Sequence, residues 1–174
     1  MSVMRLNHAV LFVRDVAASV AFYREAFGFS PITDRVDWDG AAFLRAPGST
    51  NDHDLGLFQV GEQAGPSAAG RSTVGLYHLA WEVDTLAELG RLAGVLSARG
   101  ALVGASDHGT TKSLYGRDPD GLEFEICWIV PAALLTPADL AAAREVRPLQ
   151  LDRELGRFGA DTRGGVGVSV PAPA

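Results

Sequence analysis

The sequence has very little cysteine and no long apolar run. Its only cysteine is Cys127, in a chain of 174 residues, which excludes an internal disulfide and any multi-cysteine zinc or iron–sulfur site. No stretch approaches the roughly 18 apolar residues of a membrane-spanning helix, and the first residues lack the apolar segment of a secretory signal. We therefore expect a cytoplasmic protein that does not engage membranes.

Basic residues are also in the minority. Lys and Arg number 15 against 21 Asp and Glu, for a formal net charge of −6. A protein that follows nucleic-acid phosphates needs a basic face, so this balance argues against a nucleic-acid partner. Hydrophobic residues make up 47% of the chain, which is enough for a sizeable core.

What the sequence does contain is an internal repeat. Two modules, 4–60 and 73–130, both read strand–helix–strand–strand–strand and are joined by a Gly-, Ser- and Ala-rich linker at 61–72. The predicted strands lie near 5–13, 29–37, 41–46 and 53–60, and then near 75–83, 101–107, 112–118 and 122–130. We predict an α+β fold in which two tandem βαβββ modules form a half-barrel sheet around one site, as a single domain over 1–130.

Capping residues place the helices. Asp15 is a suitable N-cap for the first helix, which should end at Gly28, and Asp84 for the second, which should end at Gly100. A C-terminal extension, 131–174, lies outside the repeat. It predicts a helix near 136–146, with Thr136 as N-cap and Pro137 as first residue, followed by a flexible tail.

Histidine is scarce, and two of the four histidines occupy matching places. His8 and His78 are each the fourth residue of the opening strand of a module. A histidine within an apolar strand needs hydrogen bonds or a metal ion for its ring nitrogens, and two at equivalent positions favour a shared metal. The segment DPDGLEFEICW (118–128) offers a carboxylate ligand, either Glu123 or Glu125. We select Glu125 because it lies further inside the strand.

Two imidazoles and one carboxylate make the facial triad of non-haem Fe(II) sites, which leaves positions open for a substrate and O₂. The same ligands also accept Mn(II), Zn(II) or Ni(II), so the identity of the metal stays open at this point.

Residues 4–130 resemble the vicinal oxygen chelate superfamily, which includes glyoxalase I, bleomycin- and fosfomycin-resistance proteins, epimerases and type I extradiol ring-cleaving dioxygenases. The resemblance rests on NHAVLFVRDVAASVAFYREAFGF, on YHLAWEV and on DPDGLEFEI. It implies metal ligands at His8, His78 and Glu125, the last because it lies four residues after the glycine of DPDG. It also implies a homodimer or a higher homo-oligomer.

Two segments are more similar to the extradiol dioxygenases than to the rest of that superfamily. NDHDLGLF (51–58) resembles the strand that carries their acid–base histidine, which implies that role for His53. SDHGTTKSLYGRDPDG (106–121) resembles a stretch whose histidine and tyrosine line the substrate pocket, which implies His108 and Tyr115. The implied partners are a small catechol-type aromatic and O₂.

Two alternatives remain. A glyoxalase- or fosfomycin-resistance-like enzyme would carry a fourth metal ligand in the first module, and the position that mirrors Glu125 falls near Gln59 by chain spacing. Glutamine cannot act as a base, so isomerase chemistry is disfavoured while a neutral ligand stays possible. The second alternative is a metal-free module that binds aromatic drugs.

Lys112 and Arg117 are predicted to be solvated strand charges.

Overall fold

The computed structural model describes residues 2–3, 5–32, 39–70 and 72–165. The chain divides into two compact units, the first made of Met1–Ala68 with Asp118–Gly121 and the second of Ala69–Arg117 with Leu122–Ala174. The division after residue 68 falls inside the stretch predicted as a linker. Among the described residues, no helix has the length and apolar character needed to cross a bilayer.

The first unit is a four-stranded sheet with one helix. Its elements are β1 (Ala9–Val13), α1 (Val16–Phe27), β2 (Ser30–Pro31), β3 (Ala41–Arg45) and β4 (Leu55–Gln59). The strand order is β1-β4-β3-β2, and β1 runs parallel to β4. Of the strand predicted near 29–37, two residues form β2, and 33–37 lie outside the described residues.

The helix α1 has the ends that its sequence predicts. The Asp15 carboxylate accepts hydrogen bonds from the backbone N–H groups of Ala17 and Ala18, and Gly28 ends the helix in the left-handed conformation at φ 74°. The helix buries Phe22 and Tyr23. The core of this unit therefore forms from one face of α1 and the inward residues of the sheet.

The second unit repeats this order and adds a C-terminal part. Its elements are β5 (Leu79–Glu82), α2 (Leu86–Ala98), β6 (Leu102–Asp107), β7 (Thr111–Arg117), β8 (Glu123–Ile129), a short 3₁₀ helix (Ala132–Leu134), α3 (Pro137–Ala142), β9 (Arg147–Pro148) and α4 (Leu151–Phe158). The strand order is β5-β8-β7-β6-β9. The predicted α+β fold of two βαβββ modules is confirmed.

The N-cap of α2 was predicted wrongly. Thr85, not Asp84, has the extended backbone of a cap, and its hydroxyl accepts a hydrogen bond from the Glu88 N–H. The spacing Thr85-x-x-Glu88 is that of a capping box, in which the hydroxyl reaches the third helical residue. That local signal is stronger than the preceding aspartate alone.

The C-terminal extension is more ordered than its composition predicts. Thr136 and Pro137 begin α3 as expected, but this helix ends at Ala142, not near 146. The chain then pairs with β6 through β9 and continues into α4, where a flexible tail was predicted. The prediction failed because α4 is short and mostly polar. Phe158 of this helix lies 5.4 Å from Trp128, so tertiary packing stabilises it.

Lys112 was predicted to be solvated, and this was wrong. Its side chain is completely buried, and its ammonium lies 2.5 Å from an Asp107 carboxylate oxygen and 3.2 Å from a Glu154 oxygen. Glu154 belongs to α4, so the buried lysine joins the extension to β7. Arg117, on the same strand, is 56% exposed as predicted.

We expect Lys112→Met to lower the free energy of unfolding by about 3–5 kcal/mol, because the buried Glu154 and the partly buried Asp107 would lose the ammonium that they share. Arg117→Met is the matched control, and we expect it to cost about 1 kcal/mol or less, since an exposed ion pair contributes little. Urea denaturation of the two variants measures the difference. Equal losses of unfolding free energy would show that the buried Lys112 ion pairs stabilise the protein no more than the exposed Arg117 pair does.

Candidate metal and catalytic site

The two repeat-related histidines lie at equivalent positions in the fold. Each immediately precedes a strand, His8 before β1 and His78 before β5, rather than lying inside it. Both strands pair in parallel with the last strand of their own module, β1 with β4 and β5 with β8. The structural repeat therefore extends to the two histidines themselves.

Strand register identifies which residue mirrors Glu125. In the second module Ala80 pairs with Glu125, and the corresponding residue of the first module, Val10, pairs with Gly56. Gln59, selected from chain spacing, is therefore the wrong counterpart. Its side-chain oxygen accepts a hydrogen bond from the Val16 N–H at the start of α1. The first module provides no ligand at the position of Glu125, because glycine has no side chain.

In the second unit His78 and Glu125 form a close pair. The Nε2 atom of His78 lies 3.1 Å from a Glu125 carboxylate oxygen, and its other ring nitrogen, Nδ1, is buried with no hydrogen-bond partner in the part of the chain that the structure describes. Glu123, the alternative ligand, instead pairs with Arg117 at 2.8 Å. This geometry favours Glu125 over Glu123 as the carboxylate that could bind a metal.

The pair also has the spacing that a metal ion requires. Two ligands at right angles on an ion, with bonds of about 2.1 Å, lie about 3 Å apart, close to the His78–Glu125 separation. The donor types, imidazole and carboxylate, suit Fe(II), Mn(II) and Zn(II). Among the described residues, no group of three His, Cys, Asp or Glu side chains is arranged to hold an ion. The described geometry thus supplies two of the predicted ligands as a pair.

His108 and Tyr115 also lie together in the second unit. The Nε2 atom of His108 is 3.0 Å from the Tyr115 hydroxyl, and the rings of Tyr115 and His78 have their centroids 6.1 Å apart. Burial, and then the Glu125 carboxylate, raise the pKa of the Tyr115 hydroxyl, which keeps it protonated at neutral pH. The sequence predicts both residues, and the structure brings them together beside the His78–Glu125 pair.

In the first unit His8 and His53 stack on each other. Their ring centroids are 4.3 Å apart, and each ring has a hydrogen-bond partner at Nδ1. Asn7 Oδ1 lies 2.8 Å from Nδ1 of His8, and an Asp52 carboxylate oxygen lies 2.8 Å from Nδ1 of His53. These oxygens can only accept, so both Nδ1 atoms carry hydrogen, and the Nε2 atom of each neutral ring keeps a lone pair.

Sequence reasoning missed Asn7 as the partner of His8 and Phe43 as a neighbour of His53. The Phe43 ring meets the His53 ring edge-on at 5.1 Å. Asn7 could have been found, because it adjoins His8 in the sequence and its amide oxygen can accept a hydrogen bond from an imidazole N–H. Phe43 could not, since it reaches His53 only through the pairing of β3 with β4.

Cys127 lies on the same face of β8 as Glu125 but remains a thiol. Burial, with the charges of Glu125 and Glu82, raises its pKa to about 12. A protonated thiol is a poor metal ligand and a poor nucleophile. Cys127 therefore acts as a small apolar residue, as predicted.

The open face of the first sheet is apolar next to His8. Val10 and Phe12 alternate with the buried residues Leu11 and Val13, and Phe12 is 72% exposed. Strand alternation places both side chains on the same face of the sheet as His8. An aromatic ring could pack on this surface.

The duplicated modules, each with a histidine just before its opening strand, define a protein of two tandem βαβββ units. The chain belongs to the Glyoxalase/Bleomycin resistance protein/Dioxygenase superfamily, whose family model matches residues 5–126. Among solved structures, a glyoxylase/bleomycin resistance protein/dioxygenase domain from Frankia sp. EAN1pec superposes with a TM-score of 0.60 at 24% identity. This superposition covers 72% of the present chain and 92% of that one, and it supports the fold.

Two curated relatives are a metapyrocatechase and a catechol-2,3-dioxygenase. Metapyrocatechase 2 of Cupriavidus necator is 33% identical over 96 residues, which cover 55% of this chain and 26% of the relative. Catechol-2,3-dioxygenase of Bacillus subtilis (strain 168) is 32% identical over 126 residues, which cover 70% of this chain and 40% of the relative. The chain thus spans less than half the length of either relative.

Proposed function

We propose that this chain is an extradiol ring-cleaving dioxygenase that acts on a catechol-type aromatic with Fe(II) and O₂. His8, His78 and Glu125 would bind the metal, His53 would transfer protons, and His108 and Tyr115 would contact the substrate. The observation that carries the proposal is the Asp52–His53 pair stacked on His8, because a catechol that binds a metal through both oxygens must give its protons to a nearby base.

His53 has the arrangement of a general base. The Asp52 carboxylate, 2.8 Å from Nδ1, holds the ring in the tautomer whose Nε2 is free to accept a proton. The His53 side chain is 11% exposed, so a substrate proton would move to it with little competition from water. A catechol must lose protons to bind a metal through both oxygens, and an imidazole transfers them well near neutral pH.

When bound, Fe(II) supplies the one-electron chemistry that O₂ needs in order to react with an aromatic ring. Mn(II), Zn(II) and Ni(II) fit the same donors, but Zn(II) has no redox chemistry and would not support this reaction. The two-histidine, one-carboxylate ligand set leaves coordination positions open for the substrate.

Tyr115 and His108 would stabilise the bound substrate. The Tyr115 hydroxyl, kept protonated, can donate a hydrogen bond to a negatively charged catechol oxygen. Val10 and Phe12 provide an apolar surface beside His8, which suits an aromatic ring better than the small polar substrates of glyoxalase-like enzymes.

The rival function is an isomerase or a thiol transferase of the glyoxalase or fosfomycin-resistance type. It loses support from the register, since the first module carries Gly56 where a fourth ligand and base would lie. A metal-free drug-binding module remains the other alternative. It has no need for a His78–Glu125 pair at the spacing of two ligands of one metal ion.

The test is ring cleavage by the Fe(II)-loaded chain. The purified protein is loaded with Fe(II) under anaerobic conditions and then mixed with oxygenated catechol, 3-methylcatechol or 2,3-dihydroxybiphenyl. We expect yellow ring-cleavage products from at least one of them, detected by absorbance, with oxygen uptake in equal amounts. The Zn(II)-loaded protein is the control and should give none.

The absence of product from all three catechols, with Fe(II) bound stoichiometrically, would overturn the dioxygenase proposal. Turnover of methylglyoxal with a thiol, or of fosfomycin, would then identify the rival. Gel filtration of the same preparation tests the predicted homodimer.

A further inference from the structure

His108 lies in a tight turn between β6 and β7 that several contacts hold. The His108 N–H donates to the Thr111 carbonyl oxygen at 2.9 Å, and the Gly109 N–H donates to the Asp107 carboxylate at 2.8 Å. The buried Lys112 ammonium donates to the Gly109 carbonyl oxygen. The backbone on both sides of the His108 side chain is therefore well fixed.

The C-terminal extension packs directly against this turn. Gly109 adopts φ +72°, and a Cβ atom built on it would lie 2.2 Å from the carbonyl oxygen of Asp139 and 3.0 Å from the backbone of Ala142. Both residues belong to α3. Only glycine fits here, because its lack of a side chain allows the helix to approach the turn this closely.

The same segment contacts the His108 ring. Its Nδ1 atom lies 3.3 Å from the carbonyl oxygen of Glu145, three residues beyond α3. A backbone carbonyl can only accept, so Nδ1 must carry the hydrogen, and in the neutral ring Nε2 must then accept. The partner at Nε2 is the Tyr115 hydroxyl, which therefore donates.

Two helices of the extension secure this arrangement. The Arg157 guanidinium on α4 binds the Asp139 carboxylate with two hydrogen bonds, of 2.8 and 2.6 Å. Asp139 also completes the capping box at the start of α3 through Thr136. A bidentate pair of this kind is stronger and more directional than an ordinary ion pair.

We propose that the C-terminal extension is a positioning element that sets the tautomer of His108. Glu145 fixes hydrogen on Nδ1 through its carbonyl, and Arg157, through Asp139, holds α3 where that bond can form. As a result, Nε2 of His108 accepts a hydrogen bond from the Tyr115 hydroxyl, and this bond fixes the orientation of that hydroxyl. The importance of this arrangement for catalysis rests on the proposed function, but the tautomer itself does not.

Nitrogen-15 NMR of the full-length chain, labelled at histidine and without added metal, measures the tautomer directly. His108→Gln assigns the signal. We expect His108 to be in the Nδ1–H form in the unmodified protein. In Arg157→Gln, and separately in Gly109→Ala, the ratio of the Nδ1–H to the Nε2–H form should fall about fivefold or more, the effect of losing one hydrogen bond.

Arg153→Gln is the matched control, because Arg153 is also on α4 but is 71% exposed and lies 4.0 Å from its nearest carboxylate partner, Glu154. The ratio of the two His108 tautomers should not change in this variant. The His78 signal, from the same unit as His108, reports whether that unit is folded in each variant.

An Nε2–H form in the unmodified protein would overturn the proposal, as would an unchanged ratio in both folded variants. Ring-cleavage assays of the same variants separate this result from the function. If the unmodified chain cleaves no catechol, the dioxygenase proposal fails while the tautomer result stands. If it does, Arg157→Gln should lower kcat more than it changes KM, and Arg157→Lys should restore part of the loss.

Discussion

Glu125→Gln is expected to weaken the binding of Fe(II) or Mn(II) by at least about 100-fold, more than the 10- to 100-fold cost of removing a residue that only hydrogen-bonds to a metal ligand. The substitution removes the only charged donor of the proposed ligand set but preserves the size of the side chain. It also replaces the carboxylate 3.1 Å from Nε2 of His78 with a weaker neutral donor. Anaerobic equilibrium dialysis of the metal measures the change.

Glu123→Gln is the matched control for this experiment. Glu123 lies two residues earlier on β8, on the same face, and its carboxylate pairs with Arg117 at 2.8 Å. Metal affinity should change by less than about threefold, because an exposed ion pair has little influence on a separate site. Equal losses of metal affinity in the two variants, or a larger loss in Glu123→Gln, would show that Glu125 is not the metal ligand.

His53→Asn is expected to lower kcat for ring cleavage by about 10²–10⁴-fold, the contribution of a positioned general acid–base group. Metal affinity should stay within a few-fold of the unmodified protein, since the proposed ligands are untouched. Steady-state kinetics on a catechol, combined with metal dialysis, separates the two effects. Asparagine preserves a hydrogen-bond donor toward Asp52 and so limits any change in folding.

Asp52→Asn tests the same pair from the other side. Its amide can no longer favour the tautomer that leaves Nε2 of His53 free, so kcat should fall, while the His53 ring remains in place beside His8. Activity within a few-fold of normal in His53→Asn would remove His53 from the mechanism. Loss of metal in that variant would instead indicate that His53 is a ligand.

Much of the fold and part of the site could be predicted from local sequence. The ends of α1 and the start of α3 at Thr136 depend on residues within a few positions of each other, and the equivalence of His8 and His78 depends on a local strand pattern that occurs twice. Helix caps and strand alternation act over this range, so the printed sequence contains the necessary information. The choice of Glu125 over Glu123 likewise followed from its place within one strand.

The misplaced N-cap of α2 is a local error, but the errors at Gln59 and Lys112 share another cause, which is that they concern partners far apart in the chain. Gln59 was taken as the counterpart of Glu125 by counting residues, whereas pairing of β4 with β1 makes Gly56 the counterpart. Lys112 was predicted to be solvated because its buried partner Glu154 lies 42 residues later, on a helix that was not predicted because its sequence is mostly polar.

The sequence by itself determined the class of this protein, because the repeated modules and their histidines are local patterns that recur at a fixed spacing. Only the tertiary structure decided how the histidines are held. His108 receives its tautomer from a carbonyl 37 residues away, and His53 acquires Phe43 as a neighbour through strand pairing. Such contacts arise when strands pair and helices pack, since the chain between the partners is free to take many paths until the core forms.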